Sequence, residues 1–293
     1  MTRARAPAKP RTHLAPSIAK AQRLEIALVG CGGNGSRFAV ELKNIALSIL
    51  AWRGLHLHVT LYDPDTVSAS NLTRQSFYPS DQGRNKAEVL AGRLNRSYGL
   101  EWRSEPRAPK RDDLYSADII VTCVDTRKSR AEILRCIGKG RARYHLDLGN
   151  DDTFGQAVIG VIGKTTRTLA APNEIFPELF DTTLPEDNRP SCGTIEALRN
   201  QDLSINLLVV AAAHNLLWRL LKDARLEVQG YYVNIHVGMT ALPIKSSNRT
   251  HAAPSQPPAE ETPCPTPPRK KPIRCSTTTA RSSLRSTPQP AAN

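Results

Sequence analysis

The sequence predicts an α/β fold: a Rossmann-like mixed, mostly parallel sheet with helices on both faces. Three observations predict it. Between Leu24 and Leu148, short β-branched and aliphatic runs alternate with stretches of helical period, the rhythm of strands joined by crossover helices. The first strand ends in G-C-G-G-N-G, in which Gly30, Gly32 and Gly35 fit G-x-G-x-x-G, with Gly33 in addition. Later strands deliver acids to their carboxyl ends, Asp63 after V-T-L-Y and Asp125 after D-I-I-V-T-C-V.

Taken in order, Leu24–Val29 is an apolar strand entering Gly30. A helix follows, with Asn34 expected as its cap and Phe38, Leu42, Ile45, Ile49 and Trp52 as its apolar stripe, ending at Arg53-Gly54. Leu55–Tyr62 reads as the second strand and Asn85–Asn95 as the second helix, with a weaker strand near Leu100–Trp102. Asp118–Val124 is a buried strand, Arg127–Ile137 a helix and Tyr144–Leu148 a strand. Past Asp152 the alternation stops. Gln156–Ile162 reads as a strand, and Lys164–Ser191, with Pro172, Pro177, Pro185 and Pro190, as a long loop. Helix resumes from Glu196 to Lys222 with a break near Asp202, and Gln229–Val237 and Met239–Ile244 read as paired strands.

The net charge of +13 points towards polyanions, but its distribution does not. Residues 1–23 carry six Lys and Arg with no acid, and residues 246–293 carry seven against two Glu, so the ends hold eleven of the thirteen charges. The domain reading is therefore a basic flexible arm at 1–23, a nucleotide-binding body at 24–245, and a disordered tail at 246–293, where ten of the 22 prolines fall. The basic ends are expected to make at most weak nucleic-acid contacts. The six cysteines form no C-x-x-C, which argues against structural zinc and for reduced thiols in a cytoplasmic protein. No apolar signal core precedes Leu24. The apolar run Leu203–Leu221 is interrupted by Asn206, His214, Asn215 and Arg219, so it is expected as a core or dimer-interface helix rather than a membrane span.

The densest chemistry lies between Asp63 and Lys86. A glycine loop between strand and helix allows close backbone approach to a phosphate, and an acid ending the second strand is placed for ribose hydroxyls. Asp63 comes 28 residues after Gly35, somewhat beyond the ~20 usual for such an acid, and the long first helix accounts for the difference. Asp65, Asn71, Arg74, Gln75 and Lys86 follow, and then Asp125. Arginine and lysine match phosphate oxygens and a carboxylate can hold Mg²⁺, so the inventory fits a nucleoside triphosphate better than a dinucleotide. Singly, each of these residues could be a solvated loop charge.

G-C-G-G-N-G, D-P-D-T-V-S-A-S-N-L-T-R-Q, G-R-N-K and C-V-D-T together resemble the ThiF/MoeB/ubiquitin-activating-enzyme superfamily, over roughly residues 24–245. The longer first helix, S-D-Q-G-R-N-K-A and P-S-C-G-T-I-E-A-L-R-N-Q-D look closest to the ThiF-like protein of the PRTRC system. The resemblance implies binding of ATP with Mg²⁺ and adenylation of the C-terminal carboxylate of a ubiquitin-like or sulfur-carrier protein by a homodimer. By motif match, Gly30, Gly32, Gly33 and Gly35 face the nucleotide and Asp63 holds the ribose. Asn71, Arg74 and Lys86 contact phosphates with Gln75 in support, and Asp125 binds the metal with Asp65 as a secondary candidate. Cys192, in P-S-C-G, matches roughly where relatives carry a thioester or persulfide cysteine, although free cysteines more often pack as small hydrophobes. Cys31 and Cys123 read as packing. Relatives that bind zinc use two C-x-x-C pairs, which this chain lacks. Some relatives complete each site with an arginine from the partner's N-terminus, for which Arg11 and Arg23 are conceivable substitutes. Two other classes stay open on the residues alone: an NAD-dependent oxidoreductase, favoured by the glycine loop and Asp63, and a non-catalytic plasmid or nucleic-acid accessory protein binding through its basic ends.

Overall fold

The computed structural model describes residues 11–137, 144–162, 169–185 and 202–245. Residues 1–10, the tail 246–293 and Cys192 lie outside the described residues. The chain begins with a two-residue strand, β1 (His13–Leu14), and one helical turn, α1 (Pro16–Ala19). The expected alternation follows as β2 (Arg23–Val29), α2 (Gly33–Arg53), β3 (His56–Tyr62), α3 (Lys86–Tyr98), β4 (Arg103–Glu105), α4 (Arg111–Tyr115), β5 (Ile119–Thr122), α5 (Arg127–Ile137) and β6 (Tyr144–Asn150). After these come β7 (Phe154–Val161), α6 (Pro172–Ile175), α7 (Ile205–Asp223), β8 (Arg225–Leu226), β9 (Gly230–Asn234) and β10 (Gly238–Leu242).

Eight strands make one sheet in the order β10-β9-β7-β6-β5-β2-β3-β4. The pairings β2–β3, β2–β5, β3–β4 and β5–β6 are parallel, while β6–β7, β7–β9 and β9–β10 are antiparallel. The sheet is thus mixed and mostly parallel, as the sequence predicts. From β2 the chain winds outward through β3 and β4, then crosses back to β5 on the other flank. That reversal leaves a crevice at the carboxyl ends of β2 and β5, where ligands of such sheets bind.

Alternate residues of β2 serve opposite faces. Leu24, Ile26 and Leu28 join a large core with Phe38, Leu42, Ile45 and Ile49 of α2 and the buried side of α7. Ala27 and Val29 face a smaller core with Leu114, Ile120, Ile133 and Ile137 beneath α4 and α5. Fully burying a large aliphatic or aromatic side chain is worth about 1.5–3 kcal/mol, so the four apolar residues of α2 hold that helix to the sheet. Glycines end α2 and α3 where the periodicity stops: Gly54 and Gly99 take φ of 69° and 66° and donate to Leu50 O and Asn95 O.

Several expectations are corrected. Asn34 does not cap α2: Gly32 is the N-cap, and Asn34 is buried inside the first turn. Trp52 is 64% exposed, with Lys222 Nζ 5.1 Å from its ring centroid. The segment from His13 to Gln22, assigned by its charge to the basic arm, is folded onto the body. There β1 pairs with β8, Ala15 and Ile18 are buried, and His13 Nε2 meets Tyr144 Oη at 3.0 Å. Arg23 forms an ion pair with Glu25 at 2.6 Å, at the amino end of β2 and so opposite the glycine loop. The part of the proline-rich loop that is described holds α6 and a 3₁₀ turn, Pro177–Leu179. One helix among the described residues, Ile205–Asp223, is long and apolar enough to cross a membrane. Its apolar side lies in the protein core with α2 and β7, as expected of a core helix.

Candidate functional site

The glycine loop is built by close approach. Gly30 has a φ of 90°, and a Cβ there would lie 2.6 Å from Cys123 O at the end of β5. At Gly35 a Cβ would lie 1.8 Å from Gly30 O, so only glycine lets α2 start so near its own loop. At Gly33 it would meet Asn206 Nδ2 at 2.9 Å. Gly32 differs: nothing lies within 4 Å, and that part of the loop faces open space.

Asp63 is buried against this loop. Its Oδ2 accepts from Cys31 N–H at 2.5 Å and its Oδ1 from Asp65 N–H at 2.8 Å. A carboxylate offers about four lone-pair sites, so two remain for hydroxyl donors. Burial pushes the Asp63 carboxyl above its usual range, against the two N–H donors and Lys86, which act the other way. Asn85 caps α3 by accepting from Glu88 N–H, and its amide donates to Asp63 O and Asp65 O. That ties the start of α3 to the end of β3, and Lys86, the first residue of α3, reaches Asp65 Oδ2 at 3.0 Å. The Lys86 side chain is 8% exposed and that of Asp65 67%, so this pair forms one rim of the crevice.

The segment between them curls over α2. Asn71 Oδ1 accepts from Ser68 N–H, which leaves its amide nitrogen as a donor. Arg74 is half-buried; burial pushes its guanidinium below the usual value and the nearby Asp125 carboxylate opposes that. Gln75 Oε1 is buried without a hydrogen-bond partner. Three contacts pin this stretch: Arg37 Nε donates to Arg74 O at 3.0 Å, Ser76 N–H donates to Ser36 Oγ at 3.0 Å, and Arg93 Nη1 donates to Ser76 O at 2.9 Å. Arg93 also pairs with buried Asp81 and stacks on Tyr78. Asp125 itself is exposed, just past β5 and one residue before Thr126, whose hydroxyl accepts from Ser129 N–H at the start of α5.

Behind Asp125 the ends of β5 and β6 share a buried polar cluster. Thr122 Oγ1 donates to Asp147 Oδ1 at 2.5 Å and lies 2.9 Å from His145 Nε2. Because the hydroxyl's single proton goes to Asp147, His145 must donate from Nε2, and its Nδ1 is left buried without a partner. Burial lowers the His145 pKa to about 4. Arg130 of α5 completes the cluster with Asp147 at 3.3 Å. Beside it, Asn34, Asn150 and Asn206 form an amide triangle: Asn34 Nδ2 to Asn150 Oδ1 at 2.7 Å, and Asn206 Nδ2 to Asn34 Oδ1 at 2.8 Å.

The structure thus joins the glycine loop to Asp63, Asp63 to the Asp65–Lys86 pair, and Arg74 to Asp125, at the carboxyl ends of β2, β3 and β5, while Asn71 and Gln75 lie on the segment that carries Arg74. Cys192 lies outside the described residues. Cys31 and Cys123 are fully buried, and burial pushes both thiols well up, so they pack rather than react. Sequence reasoning missed Ser36, Arg37, Arg93 and the amide triangle. Asn206 had registered only as a polar break in an apolar run.

The ThiF family's sequence model matches residues 11–257. The chain belongs to the ThiF family. Among curated proteins it is similar to ubiquitin-like modifier-activating enzyme 6 of Mus musculus, 32% identical over 151 residues covering 48% of this chain and 14% of that one. The Homo sapiens enzyme of the same name is 29% identical over 151 residues, with the same coverage. The chain thus spans about a seventh of these relatives. Among solved structures, PaaA superposes with a TM-score of 0.56 at 13% identity, over 78% of this chain and 66% of that one. E. coli MccB with ATP superposes with a TM-score of 0.52 at 17% identity, over 79% and 67%. E. coli MccB with MccA gives a TM-score of 0.53 at 18% identity, over 78% and 66%. At these identities the structures establish the ThiF-type fold.

Proposed function

We propose that this ThiF-family chain is an ATP-dependent adenylating enzyme acting on the C-terminal carboxylate of a ubiquitin-like or sulfur-carrier protein. The observation that carries the reading is the convergence of a ribose-type acid, a glycine loop, Arg74, Lys86 and Asp125 on one crevice at the sheet's switch point. An oxidoreductase binding NAD has use for the first two and no evident use for the rest. MccB, similar in fold, is known with ATP and with MccA, and the curated relatives activate ubiquitin-like modifiers.

The residues fit a bound nucleotide. Asp63 keeps two free lone-pair sites for the ribose hydroxyls, and Gly32 leaves room for phosphate to approach the backbone. Gln75 Oε1 offers a buried acceptor. They also fit Mg²⁺, which takes one or two carboxylates, substrate phosphates and water. Among the described residues no three His, Cys, Asp or Glu cluster as a metal cage. Asp125, exposed just past β5, would hold the ion, with Asp65 as a second exposed acid. Once bound, the ion supplies charge neutralisation on the phosphate oxygens.

In the reaction the carboxylate oxygen of the acceptor protein attacks the α-phosphorus. The new acyl–O–P bond forms as the Pα–O–Pβ bond breaks, and pyrophosphate leaves. Arg74 and Lys86 offset the negative charge that builds on the phosphates, and because they are held before substrate arrives they cost little reorganisation. Lys86 carries three N–H donors, so it can serve a phosphate while keeping Asp65. Transfer of the acyl group to Cys192, in which the thiolate attacks the acyl carbon, a thioester bond forms, the acyl–O–P bond breaks at carbon and AMP leaves, and assembly as a homodimer belong to the same proposal.

ATP–pyrophosphate exchange in the presence of candidate ubiquitin-like proteins tests it. Exchange is expected with the wild type and is expected to drop at least 100-fold in Lys86→Ala and Asp125→Ala, in the range attached to removing a preorganised charge-stabilising group. Exchange that neither change affects would refute the assignment.

A further inference from the structure

The two edges of the sheet are built differently. β4, at one edge, is three residues long and carries Arg103 and Glu105. Shortness and charged side chains are how natural sheets keep an open row of N–H and C=O groups from pairing with another chain. β10, at the other edge, reads G-M-T-A-L, five residues with no charge and no proline, all at least partly exposed. Leu242 O accepts from Gln229 N–H, so the backbone of Leu242 faces β9. Alternation along an antiparallel strand then turns the N–H and C=O groups of Met239 and Ala241 outward, where no strand pairs with them among the described residues.

Apolar exposure gathers at the same place. Val237, just before β10, is 83% exposed and Met239 44%, and Tyr232 of β9 stacks on Phe154 of β7 with both rings partly exposed. Chain direction says which end of the sheet this is. β6 ends on the crevice side, and the antiparallel pairings of β7, β9 and β10 bring Phe154, Asn234 and Gly238 to that side. β10 stands four strand spacings from β5, about 19 Å at ~4.8 Å each, a gap that about six extended residues cross. The edge offers a short contact, well below the ~800 Å² per partner of a stable interface. That suits a substrate which must leave after each turnover better than a second copy held permanently. The chain's own continuation is led elsewhere: past β10, Ile244 is buried, Lys245 O accepts from Ala170 N–H, and Lys245 N–H donates to Gln229 Oε1.

We propose that the open edge of β10 is a docking site for the acceptor protein, which adds an extended strand there and sends its C-terminal tail past β9, β7 and β6 to the crevice. The proposal rests on the adenylation reading of that crevice. Main-chain hydrogen bonds to Met239 and Ala241 supply the grip, and Val237 and the Met239 side chain supply apolar contact.

The test uses the full chain and, as probe, a ubiquitin-like protein that supports ATP–pyrophosphate exchange. Hydrogen–deuterium exchange read at single amides follows Met239 and Ala241. Both are expected to exchange freely in the chain alone and to slow about tenfold or more when the probe is saturating. Ala241→Pro removes an outward N–H without touching the pairing to β9, whereas Ala241→Val keeps it. Proline is expected to raise KM for the probe about tenfold, the scale of a lost hydrogen bond, with ATP affinity by calorimetry unchanged and valine within about twofold of wild type. Valine as harmful as proline, or ATP affinity lost with proline, would show a packing effect and overturn the proposal. So would amides that stay unprotected beside a probe that supports exchange. Protection in the chain alone overturns it as well, assigning the edge to a second copy if it grows with chain concentration and to the chain itself if it does not. Wild type that supports no exchange with any ubiquitin-like protein would overturn the adenylation reading along with it.

Discussion

Lowering the pH from 7 to 4 should cost this fold about 3 kcal/mol through one side chain, His145. The ring is fully buried on β6, donates from Nε2 to Thr122, and lies edge-on to Phe180 with centroids 6.3 Å apart. Desolvation lowers its pKa from 6.5 to about 4, against an opposing pull from Asp147 and with a push from Arg130. A second proton would sit on Nδ1, where no acceptor is present among the described residues. The unfolded chain takes that proton near pH 6.5, while the folded chain resists it until about pH 4. Stability from this group is therefore full above the unfolded value, falls as pH drops through the interval, and levels off near the folded one. Each pH unit is worth about 1.4 kcal/mol, so the full interval of some 2.5 units is worth about 3.5 kcal/mol. Of that, about 3 kcal/mol falls between pH 7 and 4, because the ring is partly protonated in the unfolded chain at pH 7 and in the folded chain at pH 4. Urea denaturation of wild type and His145→Gln at pH 7, 6, 5 and 4 isolates the effect, since the other carboxylates titrate in both proteins. Glutamine can keep a donor towards Thr122 but cannot take the proton. The wild type's advantage over the variant should shrink by about 3 kcal/mol between pH 7 and 4. A difference that stays flat across that range would refute both the tautomer and the burial argument.

Three further outcomes follow from the loop and its supports. Gly35→Ala should destabilise the chain by about 3 kcal/mol or more, because its Cβ would strike the Gly30 carbonyl, whereas Gly32→Ala should shift stability by less than about 0.5 kcal/mol and still weaken ATP binding; thermal melts beside nucleotide titration separate the two. Asn206→Leu, which deletes the donor shared by Asn34 and Asn150 and crowds Gly33, should cost about 1–3 kcal/mol in urea unfolding. Arg93→Gln, which frees the carbonyl of Ser76 and strands the buried Asp81 carboxylate, should raise KM for ATP several-fold in pyrophosphate exchange. There kcat should change less than KM, because Arg93 touches only the segment that presents Arg74.

Much of the parallel half was legible because its signals are local. The period of α2 and the glycines past its end are decided within a few residues, and so is the aliphatic run of β5. The antiparallel half was visible as strands, and the pairing of β9 with β10 with them, but the attachment of β7 was not: β7 turns back on β6 through Asp151–Thr153, a choice made by the sheet rather than by the segment. Trp52 fits the helical stripe, yet α2 runs past the end of the core and leaves it outside with Lys222. Charge composition misplaced residues 13–22 because the contacts that fold them, Ala15 and Ile18 in the core and His13 on Tyr144, involve apolar residues scattered among basic ones. In the site, residues contiguous with a motif were found. Those acting from elsewhere, Arg93 and Asn206, were not, since nothing in sequence spacing shows that a helix more than 170 residues past the loop will touch it.

That distant touch has a bearing on how the protein comes into being. Every residue of the nucleotide inventory has been translated by Asp125, yet the amide that braces the glycine turn arrives only with Asn206, and the short strand at His13–Leu14 finds its mate only at Arg225–Leu226. A ribosome-bound fragment ending between those points would display the full signature of the site with one wall unsupported. Competence to grip a nucleotide should then switch on late in synthesis, when α7 clears the exit tunnel and closes the far side of the fold.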